Sequence, residues 1–308
     1  MGLRDMISRT FAAKPEHAPP VAEPVDELAS ACSLFSKLSA TGDIGCITFS
    51  AGAAQIELKD GRRYHFDAGD RSARMYTVPL TGTFESKETE LLRRLIQPGQ
   101  VCVDVGASFG WYTVLLSRLV GASGRVCAFE PIPHTFSVLS RNISLNGCDN
   151  VTLETCALAD AAGERDLYLP DCGVSGSLEL HPYDSSYESI RCRIETLDWY
   201  CKETGVERVD FIKADIEGAE WLLLKGGEEA IRRWQPLLLL EVQAHSATLF
   251  GYSTAAIFNW LKERGYSAYF VSAEGELVAV AADTEPLPDY NFLFVPDGKK
   301  LPGRVPRP

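Results

Sequence analysis

Two short stretches hold the residue types that chemistry needs. The first is Asp104-Val-Gly-Ala-Ser-Phe-Gly110, which follows the apolar run Val101-Cys102-Val103 and leads into Trp111 and Tyr112. A buried strand that turns on glycines into a helix brings main chain close to a ligand, because Gly106 and Gly110 add no side chain there. An acidic residue at the strand's end, Asp104, accepts hydrogen bonds from a cationic amine. The dinucleotide fingerprint G-x-G-x-x-G seats a pyrophosphate on a helix N-terminus. Here the spacing is G-x-x-x-G behind an aspartate, which suits a cofactor bearing an amino-acid moiety better. The second stretch is Asp210-Phe-Ile-Lys213-Ala-Asp215-Ile-Glu217-Gly-Ala-Glu220, the end of a segment, 195–220, with eight acidic and three basic side chains. Strand alternation puts Ile212 and Lys213 on opposite faces, with Asp215 just past the strand and Glu217 in the turn. Carboxylates outside strand ends occupy the usual reaction position of open α/β sheets. Helix capping accounts for Glu220. It does not account for a lysine inside an apolar strand two residues before Asp215.

Further candidates end the other apolar runs. Phe129-Glu130-Pro131 places a carboxylate where both hydroxyls of a ribose are bound, and Pro131 and Pro133 fix the turn that follows. In Ala157-Leu158-Ala159-Asp160, a side chain flanks a purine and Asp160 accepts from its exocyclic amine; a plain turn over Asp160–Gly163 accounts for the same residues. Glu241 ends the run Leu237–Leu240. Asp215 and Glu241 are the candidate metal ligands, able to hold Mg2+ through oxygen; in the alternative a side chain acts as base without metal. His245 is a further base candidate, although a lone histidine just after a strand is more often a loop or cap residue. The loop 171–189, with Val174–Ser177, Tyr183 and Tyr187, is placed to close over an acceptor. Trp111, Trp199 and Trp221 read as packing.

The elements that must position these residues alternate strand and helix from about Glu85 onward, the pattern of a mostly parallel α/β sheet. Strands are expected at Val101–Val105, Arg125–Phe129, Val151–Ala157, Val209–Ala214 and Leu237–Val242, all continuous apolar runs of the doubly buried kind. Helices are expected near 85–96, 110–120, 134–146, 195–204, 219–233 and 254–264. Glu276–Val280 and Asn291–Val295 read as a closing antiparallel pair. Ahead of this unit, residues 1–26 read as a flexible segment and linker with prolines clustered over 12–26. Residues 27–80 read as a cap: a helix over Leu28, Cys32, Phe35 and Leu38, then a hairpin, Gln55–Leu58 and Arg62–Phe66 about the Asp60-Gly61 turn. The catalytic unit is expected over 81–296, with 297–308 a basic tail.

The chain has 308 residues, 45% hydrophobic and 23% charged, which excludes wholesale disorder. With 30 basic against 42 acidic residues its formal charge is −12, the opposite of what a nucleic-acid coat requires. No membrane span is expected: the longest apolar run, Pro236–Leu240 and its flanks, falls far short of the ~20 residues needed. The nine cysteines contain no CxxC pair and several lie in apolar runs, so they read as buried, inert thiols of a reducing, cytoplasmic setting. Arg4, Asp5 and Arg9 interrupt any secretory apolar stretch, and Met6 stands where a myristoylation signal wants Ser or Thr.

Taken together these motifs resemble the FkbM-type family of S-adenosylmethionine-dependent methyltransferases. The resemblance rests on Asp104–Gly110, Phe129-Glu130-Pro131 and the distinctive Lys213-Ala-Asp-Ile-Glu-Gly-Ala-Glu220, with Gly82-Thr-Phe84-Glu85, Thr196-Leu197-Asp198 and Leu240-Glu241 in support. It covers about residues 80–272. Ser108 stands where the family usually has asparagine, and Gln243-Ala-His245 follows Glu241 where a histidine commonly comes sooner. The resemblance implies an α/β, Rossmann-like class I methyltransferase fold: a seven-stranded, mostly parallel sheet with a closing antiparallel strand, plus the small N-terminal helix and hairpin cap. It implies S-adenosylmethionine as cofactor, with Phe84, Glu85, Asp104, Gly106, Ala107, Ser108, Gly110, Tyr112, Glu130, Pro131, Leu158, Asp160 and Asp215 about it. The implied reaction is O-methylation of a hydroxyl on a sugar, glycan or natural product. Asp215 is then the first candidate base, Glu217 the second, with Lys213 tuning their charge and His245 a further candidate. An ammonium beside a carboxylate lowers its pKa and weakens it as a base. An NAD-dependent oxidoreductase with an atypical glycine turn, and a non-catalytic nucleoside-binding module, are the competing readings.

Overall fold

The computed structural model describes residues 42–50, 53–67, 84–170, 176–179, 187–281, 284 and 287–301, with Ser33 and Ser36. The helix expected over Leu28–Leu38 (those two serines apart), the linker 12–26, residues 302–308 of the tail and most of the loop 171–189 lie outside them.

The first described elements are β1 (Ile44–Ser50), β2 (Ala53–Leu58) and β3 (Arg63–Asp67), an antiparallel meander rather than a single hairpin. Ile44, Ile56, Leu58 and Tyr64 face inward and join the main core, whereas the edge strand β1 leaves Cys46 and Phe49 in solvent. That exposed thiol departs from the expectation of buried cysteines; the other six described cysteines are buried.

The main sheet begins after α1 (Ser86–Leu95). Strands β4 (Val101–Val105), β5 (Arg125–Phe129) and β6 (Val151–Glu154) alternate with α2 (Trp111–Val120) and α3 (Pro133–Asn146). Then β7 (Ala157–Leu158), β8 (Gly163–Pro170) and β9 (Tyr187–Glu195) form a separate three-stranded sheet. The chain returns through α4 (Leu197–Glu203), β10 (Phe211–Ala214), α5 (Glu220–Gly226), α6 (Glu228–Trp234) and β11 (Leu237–Glu241). It closes with α7 (Ala244–Leu249), α8 (Thr254–Glu263), β12 (Tyr266–Val271), β13 (Leu277–Val280) and β14 (Asn291–Pro296). The order across the main sheet is β13-β12-β14-β11-β10-β4-β5-β6, with β6, β5, β4, β10 and β11 parallel and β14 antiparallel between β11 and β12. This is the Rossmann-like class I methyltransferase arrangement, the expected seven strands plus β13 as an eighth at the edge.

Alternate residues of the apolar strands fill two cores. Cys102, Phe211, Leu237 and Leu239 face α1 and α2, while Val103, Val105, Ile212, Leu238 and Leu240 face the helices on the other side. Strand order reverses between β4 and β10, which opens a crevice at their carboxyl ends.

Three expectations change. The run Val151–Ala157 breaks after Glu154, and Ala157 and Leu158 pair instead with Ile194 and Glu195 of β9. Leu277–Val280 and Asn291–Pro296 are not neighbours, because β12 lies between them. The doubly apolar β11 needs a cover for its open edge and takes β14, which leaves the half-exposed β13 at the rim, where exposure is tolerated. The helix expected over 219–233 is two helices. At Gly226 a Cβ would sit 2.0 Å from the carbonyl oxygen of Ala159, so only glycine lets the helix end so close to that chain. Among the described residues no helix is long and apolar enough to cross a membrane.

Candidate active site

The loop after β4 is tied down from three sides. The Gly106 and Ala107 N–H groups both donate to the Phe129 carbonyl at 3.0 Å, and the Asn142 side chain of α3 donates to the Phe109 carbonyl at 2.8 Å. Gly106 has φ +77°, and a Cβ there would lie 2.1 Å from the Asp215 carbonyl oxygen, so the loops after β4 and β10 run in backbone contact. Ser108 is left-handed too, with φ +51°, which turns its N–H toward Glu130. Glu130 is buried and each carboxylate oxygen accepts one main-chain bond, from Ser108 N–H and from Ile132 N–H, both at 2.9 Å. Burial pushes this carboxyl up to about 7, although both N–H groups pull the other way. Each oxygen keeps a further lone pair for a ligand.

Glu130 opens into a cavity of about 240 Å3 at the strand ends. One wall is apolar, with Phe129, Ile132, Leu158, Leu167 and Leu178; the loop residues Gly106 and Ser108 form another, with Phe84 beside them. The far end carries three carboxylates, Asp215, Glu217 and Glu241. Ala214 and Leu240 are register partners, so one step further along the same parallel strands brings Asp215 beside Glu241. Gln243 Nε2 donates to Glu241 Oε1 at 2.6 Å. Burial raises the Glu241 carboxyl strongly, and Asp215, Glu217 and Glu220 raise it further.

Behind the carboxylates Lys213 is buried, its Nζ 3.2 Å from Asp215 Oδ2 and 4.8 Å from the centre of the Tyr112 ring. Burial alone would weaken the ammonium, but Asp215, Asp104 and Glu85 outweigh it and hold the charge above its ordinary range. The Tyr112 hydroxyl donates to Glu85, whose carboxyl burial raises. Asp104 is fully buried; Thr113 Oγ1 donates to its Oδ2 at 2.6 Å, while Oδ1 has no partner.

A sequence model of the Methyltransferase FkbM domain matches residues 104–268, more than half of the chain. The chain belongs to the FkbM methyltransferase family. It is 30% identical over 172 residues to Methyltransferase sdnD of Sordaria araneosa, covering 44% of this chain and 66% of that one. It is 26% identical to 31-O-demethyl-FK506 methyltransferase FkbM of Streptomyces tacrolimicus, over 44% of this chain and 62% of that one. It is 28% identical to 2-O-methyltransferase NoeI of Sinorhizobium fredii (strain NBRC 101917 / NGR234), over 47% of this chain and 64% of that one. The matches thus span less than two thirds of these FkbM-type relatives or just under it. Among solved structures, Methyltransferase FkbM from Methylobacillus flagellatus KT superposes with a TM-score of 0.41 at 16% identity, covering 88% of this chain and 60% of that one.

Within this FkbM-type domain the cavity gathers Phe84, Gly106, Ser108, Glu130, Pro131, Leu158, Asp215, Glu217 and Glu241 from the residues singled out by sequence. Glu85, Asp104, Ala107, Gly110, Tyr112 and Lys213 stand behind that wall, not in it. Gly110 begins α2. Asp160 is drawn away by ion pairs to Lys225 at 2.9 Å and Arg165 at 3.2 Å; burial would raise its carboxyl, but the two cations win and lower it. His245 is exposed in the first turn of α7, outside the cavity lining. Trp199 is 42% exposed instead of packed, whereas Trp111 is buried. Sequence reasoning missed Ile132, Thr135, Leu167 and Leu178 as cavity residues. The first two follow the Glu130 motif within one helical turn, a readable signal; Leu167 and Leu178 carry none.

Among the described residues no group of three or more His, Cys, Asp or Glu side chains is placed to hold a metal ion. Asp215 Oδ2 already faces an ammonium, and Glu241 Oε1 already accepts from Gln243 Nε2. Such a pair does not fit the ionised oxygen set that Mg2+ needs.

The buried acids also set how stability depends on pH. Glu220 accepts the Ile216 N–H at 2.9 Å from a buried position, which pushes its carboxyl up to about 8. For Glu130 and Glu220 the folded values lie above the ordinary 4.5, so the native chain holds protons that the unfolded chain releases. Their contribution is complete below about pH 4.5 and is lost as pH rises through about 7 and 8. The thermal midpoint of the ligand-free chain is expected to fall from about pH 5 to about pH 8. A scan in which it rises over that range would contradict these assignments.

Proposed function

We propose that this chain transfers the methyl group of S-adenosylmethionine to a hydroxyl of a small-molecule or glycan acceptor, of the sugar or natural-product kind. One observation carries the reading: a buried carboxylate with free lone pairs, Glu130, shares a single cavity with three carboxylates at its far end. The first suits a ribose diol and the second a sulfonium. Oxygen as the accepting atom is favoured by the O-methyltransferase names of the FkbM and NoeI relatives. When bound, S-adenosylmethionine supplies an already activated methyl group, so what is left to the chain is alignment and removal of a proton.

In this reading Glu130 takes both ribose hydroxyls. Ile132, Leu158, Leu167 and Leu178 enclose the adenine, and the main chain at Gly106 and Ser108 approaches the amino-acid end. Asp104, Glu85 and Tyr112 act from behind by holding Lys213, and Lys213 in turn holds Asp215 toward the sulfonium. Asp215 Oδ2 is already engaged by the Lys213 ammonium at 3.2 Å. Glu241 has no cationic partner in any hydrogen bond or ion pair among the described residues and has a raised proton affinity. The base is therefore Glu241, in place of the Asp215 favoured by sequence, with Glu217 at the acceptor's side and His245 outside the reaction.

Calorimetry separates this reading from the oxidoreductase one. S-adenosylhomocysteine is expected to bind and NAD is not; binding of NAD alone overturns the proposal. Glu130→Ala is expected to weaken S-adenosylhomocysteine by about 1–3 kcal/mol, the worth of hydrogen bonds to a charged group. Unchanged affinity removes Glu130 from the ribose site.

A further inference from the structure

The meander β1–β3 lies outside the part of the chain matched by the family, 104–268, yet its buried polar contacts converge on the loop after β4 and the start of α2. Arg62, in the turn between β2 and β3, is 1% exposed. Its Nε donates to Asp60 Oδ2 at 2.8 Å, and its Nη1 reaches the Tyr64 hydroxyl at 3.3 Å and the Trp111 carbonyl at 3.5 Å. Its guanidinium lies 4.5 Å over the Trp111 ring. Tyr64 stacks on the same ring at 5.3 Å and donates its hydroxyl to the Trp111 carbonyl at 3.2 Å. Trp111 is the first residue of α2, directly after Gly110. It also packs edge-on against Phe84, in the cavity wall, with ring centres 5.3 Å apart.

A second route joins the same two places. Asn142 accepts from the His65 N–H of β3 at 2.7 Å and donates to the Phe109 carbonyl, one residue beyond Ser108. The turn that carries Arg62 is gripped in its turn by Arg118 of α2, which donates to the Asp60 and Gly61 carbonyls at 3.0 and 2.7 Å. Packing alone does not call for a charge here, since a buried ion pair replaced by apolar groups of similar volume is often no less stable. Arg62 does fix the orientation of Trp111, and through Trp111 the position of Phe84 and the start of α2.

We propose that Arg62 is a positioning residue for the cofactor loop and that the meander β1–β3 is thereby a working part of the methyl-donor site. This rests on the methyl-transfer reading above. A donor bound against Ser108 and Phe84 meets a surface whose geometry is set by β3, while among the described residues Arg62 makes no hydrogen bond or ion pair with Asp215 or Glu241.

The test compares wild type, Arg62→Met and Tyr64→Phe for S-adenosylhomocysteine affinity by calorimetry and for steady-state constants, well below each unfolding midpoint. Arg62→Met is expected to weaken S-adenosylhomocysteine about tenfold and to raise KM for the methyl donor in parallel, with KM for the acceptor unchanged. Tyr64→Phe, which removes only one hydroxyl, is expected to weaken it about threefold. A folded Arg62→Met with wild-type affinity overturns the proposal, as does wild-type affinity in Tyr64→Phe should Arg62→Met fail to fold. An equal loss in both KM values also overturns it, because a general loosening is not positioning of the donor. Failure of the wild type to bind S-adenosylhomocysteine instead overturns the methyl-transfer reading itself.

Discussion

Glu241→Gln is expected to lower kcat by about 10²–10⁴-fold, the usual worth of a positioned general base, while S-adenosylhomocysteine affinity stays within about threefold of wild type. The substitution preserves the shape of the side chain and removes its ability to take a proton. The Gln243 bond at Oε1 remains available to an amide oxygen, so the local packing is kept. Asp215→Asn differs in kind: it frees Lys213, a buried ammonium now 3.2 Å from its partner, and costs stability as well as turnover. The two variants are therefore read by stability and rate together. Full turnover in Glu241→Gln would remove Glu241 from proton transfer and return Asp215 or Glu217 to first place.

Gly106→Ala is expected to be the most damaging single methyl addition in the site. A left-handed conformation costs a residue with a Cβ about 1–2 kcal/mol, and overpacking adds about 1–3 more. The new methyl would lie 2.1 Å from the Asp215 carbonyl oxygen, a main-chain atom that cannot swing aside. Relief requires the loops after β4 and β10 to part, which separates Glu130 from the carboxylate end. A urea titration should show a loss of about 2–5 kcal/mol, and the surviving folded protein should not bind S-adenosylhomocysteine. A midpoint equal to wild type would mean that the two loops are not in contact.

These outcomes depend on which features the sequence displays. Strands β4, β5, β10 and β11 were legible because runs such as Leu237–Leu240 are buried on both faces and therefore apolar without interruption. Strands β8 and β9 were not, because Glu164, Arg191 and Arg193 keep one face of that small sheet in solvent and mimic a loop. The order β13-β12-β14 was hidden for another reason: which edge a terminal strand takes depends on what the remaining edges must cover, a property of the assembled sheet. In the site, Glu130, Asp215, Glu217 and Glu241 were legible as acids that end apolar runs. The different surroundings of these acids were not. Lys213 meets Tyr112 and, through it, Glu85 across more than a hundred residues of chain, and among the described residues it forms its ion pair with Asp215 and none with Glu241. Asp160 shows the converse, a motif residue whose partners Arg165 and Lys225 direct it elsewhere.

The placement of one ammonium behind a cluster of acids has a consequence for charge conservation during turnover. On the proposed reading the donor arrives with one positive charge and departs as a neutral thioether, while Glu241 starts ionised and ends protonated. One positive and one negative charge would vanish together from the same volume, with the Lys213–Asp215 contact behind it taking no part in the exchange. The site keeps the same net charge on both sides of the reaction, so its low dielectric opposes neither substrate nor product. In the free chain burial raises the proton affinity of Glu241, and on the proposed reading a cationic donor beside it would lower that affinity again.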